Sequence, residues 1–219
     1  EINLDIPELG GLSAIKIIEA GKGFITISDK GKYFKGDIIR DSNGGIKDIK
    51  INKLGTLRSS SGNKLSGRNT DSESLTTIDK KGFYISFESN HRIMFHEDLD
   101  AAGVFLPKHS DFEYFKSNKG LEAIAANSND EIFAIPEEPQ NTSDKFPVYK
   151  LANGEWSLFD HFPASGSFLV TDAVFLPDDN LLILERDYDW GSGFKMQLRL
   201  LLMNKNTITG QTILLSIDS

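Results

Sequence analysis

Thr171-Asp172-Ala173-Val174-Phe175-Leu176-Pro177-Asp178-Asp179-Asn180-Leu181-Leu182-Ile183-Leu184-Glu185-Arg186 sets two apolar runs on either side of a Pro-Asp-Asp-Asn cluster. Short runs of this kind, broken by residues that favour turns, read as two strands folded into a hairpin. Similar punctuation recurs at Ala20-Gly21-Lys22-Gly23, ahead of Phe24-Ile25-Thr26-Ile27-Ser28, and at Asp79-Lys80-Lys81-Gly82, ahead of Phe83-Tyr84-Ile85-Ser86-Phe87. Asn127-Ser128-Asn129-Asp130 marks another such turn. No segment carries a sustained 3.6-residue apolar stripe with caps at both ends, and the best helical candidate, Leu121 to Ala126, is too short to matter. The pattern predicts a chain that is nearly all β.

Each hairpin opens on a related segment: Leu12-Ser13-Ala14-Ile15, Ser72-Glu73-Ser74-Leu75, Leu121-Glu122-Ala123-Ile124 and Thr171-Asp172-Ala173-Val174. With Ser13, Glu73, Glu122 and Asp172 aligned, the spacings are 60, 49 and 50 residues. Repeats of about 40 to 50 residues that contain several strands indicate a β-propeller with four-stranded antiparallel blades. The expected organisation is one propeller-like domain over residues 1–219, with the C-terminal blade cut short.

Composition narrows the chemistry. The 219 residues include 24 Lys+Arg against 32 Asp+Glu, a net charge of −8, which argues against a free-standing nucleic-acid binder. Hydrophobic residues at 39% and charged residues at 26% fit a packed globular chain. With no Cys, the chain has no disulfide, thiol nucleophile, zinc-thiolate or iron–sulfur site. No apolar run approaches the roughly 20 residues of a membrane-spanning helix. The first residue is Glu1, so an N-terminal piece is expected to have been removed or left out.

Each repeat also ends in an acid: Asp29, Glu88, Glu137 and Glu185 lie 16, 15, 15 and 13 residues after the first marked position. The midpoints fall on the predicted turns, so each marked pair is expected to face across the open mouth of its hairpin. Blades arranged radially would bring these mouths into a ring around a central channel. Carboxylates gathered there repel one another and recruit cations. Oxygen-only ligation points to calcium or magnesium, with Ca²⁺ taken as the expected cofactor, held among Asp29, Glu73, Glu88, Glu122, Asp172 and Glu185. Arg186 and Arg92, close after Glu185 and Glu88, are candidates for holding an anionic substrate. The same acids could instead cap turns or pair with backbone amides.

Other features are weaker. His91, His96, His109 and His161 form no His-Glu-x-x-His motif and are expected at the surface. Gly11-Leu12-Ser13-Ala14-Ile15 lacks the final glycine of a nucleophile elbow. Asp187, Asp189 and Gly191 read as a solvent-facing acidic turn, and Arg58 to Thr70 as a basic flexible loop. Asn141-Thr142-Ser143 is a glycosylation sequon.

Gly10-Gly11-Leu12-Ser13, Ile27-Ser28-Asp29-Lys30-Gly31, Asp71-Ser72-Glu73-Ser74-Leu75 and Tyr84-Ile85-Ser86-Phe87-Glu88 resemble motifs of the bacterial phytase-like family described as having esterase-like activity. Asn118-Lys119-Gly120-Leu121-Glu122-Ala123-Ile124-Ala125 and the stretch from Asp172 to Arg186 are similar to its next two motifs. The resemblance spans roughly residues 9 to 187 and implies a propeller fold, export to the periplasm or cell surface, and hydrolysis of phosphate or carboxylic esters. It assigns no catalytic residue. A further Asn-His-Glu-Gly-like motif expected of the family has no counterpart in Thr207 to Ser219.

Three functions remain in view. The first is a metal-assisted hydrolase of a small-molecule ester or phosphoester, in which Arg186 orients the anion and Glu137 acts as general base on water. The second is a non-catalytic envelope propeller that binds a ligand or protein partner, with Phe112, Tyr114 and Phe115 as candidate surface residues, although core or blade packing is their expected place. The third is a lactonase-like enzyme for sugar acids on a related propeller.

Overall fold

A computed structural model describes residues 6–78, 81–140, 143–191 and 193–218. The sequon at Asn141 falls outside them. The chain is all-β and of the β-propeller class, with four antiparallel four-stranded blades, and it divides into two compact units, Glu1–Phe105 and Leu106–Ser219. No helix among the described residues is long and apolar enough to cross a membrane.

Unit 1 holds two sheets. The first runs β1 (Leu12–Ile18), β2 (Gly23–Ser28), β3 (Lys32–Arg40) and β4 (Ile46–Thr56). The second runs β5 (Ser72–Ile78), β6 (Gly82–Phe87), β7 (Arg92–His96) and β8 (Val104–Phe105). All six residues of β2 are buried, which is why that strand reads as a near-continuous apolar run. In β4, Lys47, Asp48, Lys50 and Lys53 supply the charge that keeps an edge strand from pairing with other chains. A core of Ile25, Ile27, Tyr33, Leu57, Leu75, Ile85, Phe87 and Met94 joins the two sheets. Ser72 Oγ donates to the Ser28 carbonyl at 2.6 Å, tying the start of β5 to the end of β2.

Unit 2 repeats the plan. Its first sheet contains β9 (Ala123–Ala126), β10 (Ile132–Ile135), β11 (Lys145–Ala152) and β12 (Glu155–Pro163), in the order β12-β11-β10-β9. Its second runs β13 (Leu169–Phe175), β14 (Leu181–Asp189), β15 (Gly193–Met203) and β16 (Ile208–Asp218). The fourth sheet therefore has the same four strands as the others. Phe133, Ile135, Phe146, Val148, Phe162, Val170, Ile183 and Leu201 form the core, and the Val170 N–H donates to the Glu137 carbonyl at 3.0 Å.

The stretch Leu121 to Ala126 makes no helix, as the all-β pattern predicts: Ala123–Ala126 is strand β9, paired with β10. Other expectations need correction. Two of the four histidines are buried, His96 completely and His91 nearly so; only His161 is exposed. Asp187 and Asp189 lie within strand β14, not in a turn, and Lys195 on β15 pairs with Asp187 at 3.7 Å. Phe112 and Phe115 are core residues, the place expected of them, whereas Tyr114 faces solvent.

Candidate functional site

Hairpin register decides where the marked residues go. Three of the four opening strands carry a β-bulge at an equivalent point: Ser13 between Leu12 and Ala14, Glu73 between Ser72 and Ser74, and Thr171 between Val170 and Asp172. Glu122, immediately before β9, stands at the corresponding place in the third. A bulged residue has no partner across the ladder. The expected facing pairs are thus displaced. Asp29 instead donates its N–H to the Gly11 carbonyl, Glu88 to Asp71 and Glu137 to Gly120, while Arg186 pairs with Leu169.

This register also moves the fourth repeat by one residue. Thr171, rather than Asp172, is the counterpart of Ser13 and Glu73, and Arg186, rather than Glu185, is the counterpart of Asp29, Glu88 and Glu137. Glu185 matches Ser28 and Phe87, which are buried. A one-residue slip reverses the face on which a side chain stands. Accordingly Glu185 is wholly buried: Arg199 Nε donates to its Oε2 at 2.9 Å and Gln197 Nε2 at 2.6 Å.

In unit 1 the structure brings Glu73 and Glu88 together with Asp71, each offering a carboxylate oxygen within 4.8 Å of the others. Ser89 Oγ donates to Asp71 at 3.0 Å. Arg92 lies nearby but is buried: its guanidinium stacks 4.1 Å from the centre of the Phe87 ring and donates to the Asn69 carbonyl at 2.6 Å. Burial lowers the Arg92 pKa to about 10, while the Asp71 charge acts in the opposite direction. Asp29 stands apart in the first hairpin, exposed and folded over Gly11 so closely that a Cβ there would lie 2.2 Å from its Oδ1. Gly11 has φ +61°, so that position is restricted to glycine twice over.

In unit 2 the sequence-marked residues Glu137 and Arg186 do meet. Glu137 is 3% exposed, and Lys119 Nζ lies 2.9 Å from each of its oxygens. Arg186 Nη2 approaches Glu137 Oε1 to 3.6 Å. Together with Ser167, Leu169, Asp187, Tyr188 and Phe194 these residues line a cavity of about 600 Å³. That size suits a small ligand. Two cations around one carboxylate and an open cavity can receive an anion, because guanidinium and ammonium donors match carboxylate and phosphate oxygens. Of the remaining acids, Asp172 accepts the Ala173 N–H at 2.8 Å, and Glu122 is partly buried, its N–H donating to the Gly120 carbonyl at 3.1 Å.

Lys119 and Asp71 carry no role in the sequence reading. Both stand in the quoted motifs and precede a hairpin's opening strand, Asp71 at the mouth position one residue before β5 and Lys119 next to the mouth glycine Gly120, four residues before β9. That regularity was the available signal.

Comparison with known proteins adds the following. A family model described as "Phytase-like: Esterase-like activity of phytase" matches residues 7–216. No curated protein matches the chain. Among solved structures, that of U3-55K aligns with a TM-score of 0.53 at 10% identity over 97% of this chain and 55% of its own. Raptor of Chaetomium thermophilum aligns with a TM-score of 0.51 at 11% identity over 98% of this chain and 17% of its own. The chain thus spans about half the length of the first and about a sixth of the second. At such identities the likeness is one of fold.

Proposed function

The chain belongs to the phytase-like family, and on that premise we propose that it hydrolyses a phosphate or carboxylic ester whose anionic group is held in the unit 2 cavity. The observation that carries this reading is the buried Glu137 carboxylate gripped by Lys119 and Arg186 on the wall of that cavity. A substrate oxyanion competes with Glu137 for the two cations. As it draws Lys119 and Arg186 towards itself, one Glu137 oxygen becomes available to water. Water oxygen then bonds to phosphorus or to the acyl carbon, its proton passes to Glu137, and the ester C–O or P–O bond breaks to release an alcohol that takes up a proton. Arg186 orients the anion and Glu137 acts as base.

Calcium belongs to the same proposal. Asp71, Glu73 and Glu88 would hold it, since two oxygens bound to one ion at about 2.4 Å lie up to roughly 4.8 Å apart, which matches the span of these three carboxylates. Bound there, the ion would offset the mutual repulsion of the three carboxylates and brace the mouth of the second hairpin.

Turnover of 4-nitrophenyl phosphate and 4-nitrophenyl acetate, measured with and without a chelator, tests both parts. Hydrolysis of either ester is expected, reduced by on the order of 100-fold or more in Glu137→Gln. Absence of turnover with both esters overturns the hydrolase reading, and turnover indifferent to chelation overturns the calcium requirement alone.

A further inference from the structure

The fourth hairpin differs from the other three in how far its second strand runs. β2 ends at Ser28, β6 at Phe87 and β10 at Ile135, each at or just before the mouth position of its hairpin. β14 passes its own mouth residue, Arg186, and stays paired with β15 through Asp187↔Lys195, Tyr188↔Phe194 and Asp189↔Gly193. The extra length projects a two-stranded wall beyond the cavity.

Alternation along β14 puts Arg186 and Tyr188 on one side of this wall, and burial agrees up to Tyr188: Glu185 and Asp187 are buried while Arg186 and Tyr188 are exposed; Trp190 stands in the turn that follows the strand. Three aromatic rings gather there. Tyr188 lies 5.7 Å from Trp190 and 5.9 Å from Phe194, centroid to centroid. Trp190 is 93% exposed, and Tyr188 and Phe194 are each about half exposed. Tyr188 and Phe194 also line the cavity that Arg186 and Lys119 line. With the Arg186 cation one two-residue step of about 6.6 Å from Tyr188, Phe194 directly across from Tyr188 on β15 and Trp190 in the turn beyond, the surface is charged at Arg186 and aromatic past it.

From this arrangement we infer that the cavity selects an aryl anion: a carboxylate or phosphate seated on Arg186 and Lys119, with an aromatic body stacked on Tyr188 and Phe194 and bordered by Trp190. The inference deepens the hydrolase reading and rests on the same anion seat, but it concerns binding and can be tested without turnover. Ring stacking favours offset or edge-on arrangements with flat partners, which a saturated ring or a sugar cannot match fully. The anion supplies orientation, and the aromatic wall supplies discrimination between anions of equal charge.

The full chain would be titrated with phenyl phosphate, cyclohexyl phosphate, glucose 6-phosphate and inorganic phosphate, followed by calorimetry and by tryptophan fluorescence. Phenyl phosphate should bind about tenfold more tightly than the other three. The double variant Tyr188→Ala/Phe194→Ala should bring phenyl phosphate to the level of inorganic phosphate, while Tyr188→Phe keeps the preference. Both positions are half exposed, and circular dichroism is the check that the variants fold. Equal binding of phenyl and cyclohexyl phosphate, tightest binding of the sugar phosphate, or a preference that survives the double alanine variant overturns the inference. So does absence of binding by all four. Ester turnover without aryl preference would leave the hydrolase standing and remove this inference. Aryl preference without turnover would do the reverse.

Discussion

In unit 1 the second hairpin gathers Asp71, Glu73 and Glu88 at its mouth, and Arg92, four residues after Glu88, is folded away under Asn69 and against Phe87. In unit 2 the third and fourth hairpins gather Lys119 and Arg186 around the buried carboxylate of Glu137. Both mouths come from the same repeat. The difference between a cluster suited to a cation and one suited to an anion comes down to a few side chains. Arg186 occupies the place that Asp29, Glu88 and Glu137 occupy elsewhere, and Lys119 precedes a mouth glycine, whereas in unit 1 an acid, Asp71, stands at the mouth itself. A repeat that fixes where a side chain stands, but leaves its charge free, can furnish one architecture with opposite electrostatics.

The largest effect expected on this comparison is structural. Arg199→Leu would strand Glu185 in a fully buried position, without its Nε partner at 2.9 Å. Removing one member of a buried ion pair costs about 3–5 kcal/mol, and replacing both with apolar residues costs far less. Urea unfolding should therefore show Arg199→Leu well below the double variant Glu185→Leu/Arg199→Leu. Equal stability of the two would mean that the pair is not what holds this part of unit 2 together.

Next in size is the functional asymmetry of the two arginines. Arg186→Ala should lower kcat/KM for an anionic ester by on the order of 100-fold and leave thermal stability nearly unchanged, since Arg186 is half exposed. Arg92→Ala should do the opposite: a clear loss of stability from lost packing on Phe87, with little change in KM. A matching loss of activity in both variants would break the distinction between the mouths.

The smallest effect is a pH dependence confined to unit 1. His96 is fully buried, with Nδ1 3.1 Å from the Ala101 carbonyl, and burial holds its imidazole below the ordinary 6.5. The folded state therefore binds fewer protons than the unfolded state at mildly acidic pH, so stability falls as pH drops below about 6.5 towards the lowered native value. The urea midpoint should decline from pH 7.5 to pH 5, and His96→Gln should flatten that decline. An identical decline in the variant would assign the acid sensitivity elsewhere.

The fold was legible because its signal is local and repeated. Turn clusters at fixed distances from apolar runs identify hairpins, and four copies identify blades. Candidate residues were legible to a lesser depth. Glu137 with Arg186, and Glu73 with Glu88, were marked and do come together within their units. Glu185 was marked through its spacing and lies in the core, because the bulge falls at Thr171 and one residue of slip turns a strand over. Lys119 and Asp71 went unmarked because they precede their strands, where periodicity is silent.

From the sequence alone come the strands, their order into hairpins, the absence of thiol chemistry and the recurrence of acids near hairpin mouths. These follow from short-range preferences that each segment expresses on its own. Only the tertiary structure decided which side of each strand those acids face, which of them meet a lysine or arginine, and that β14 carries its aromatic wall past Arg186. Register, bulge position and ion pairing depend on partners far away in the chain, and no local pattern records the choice of partner.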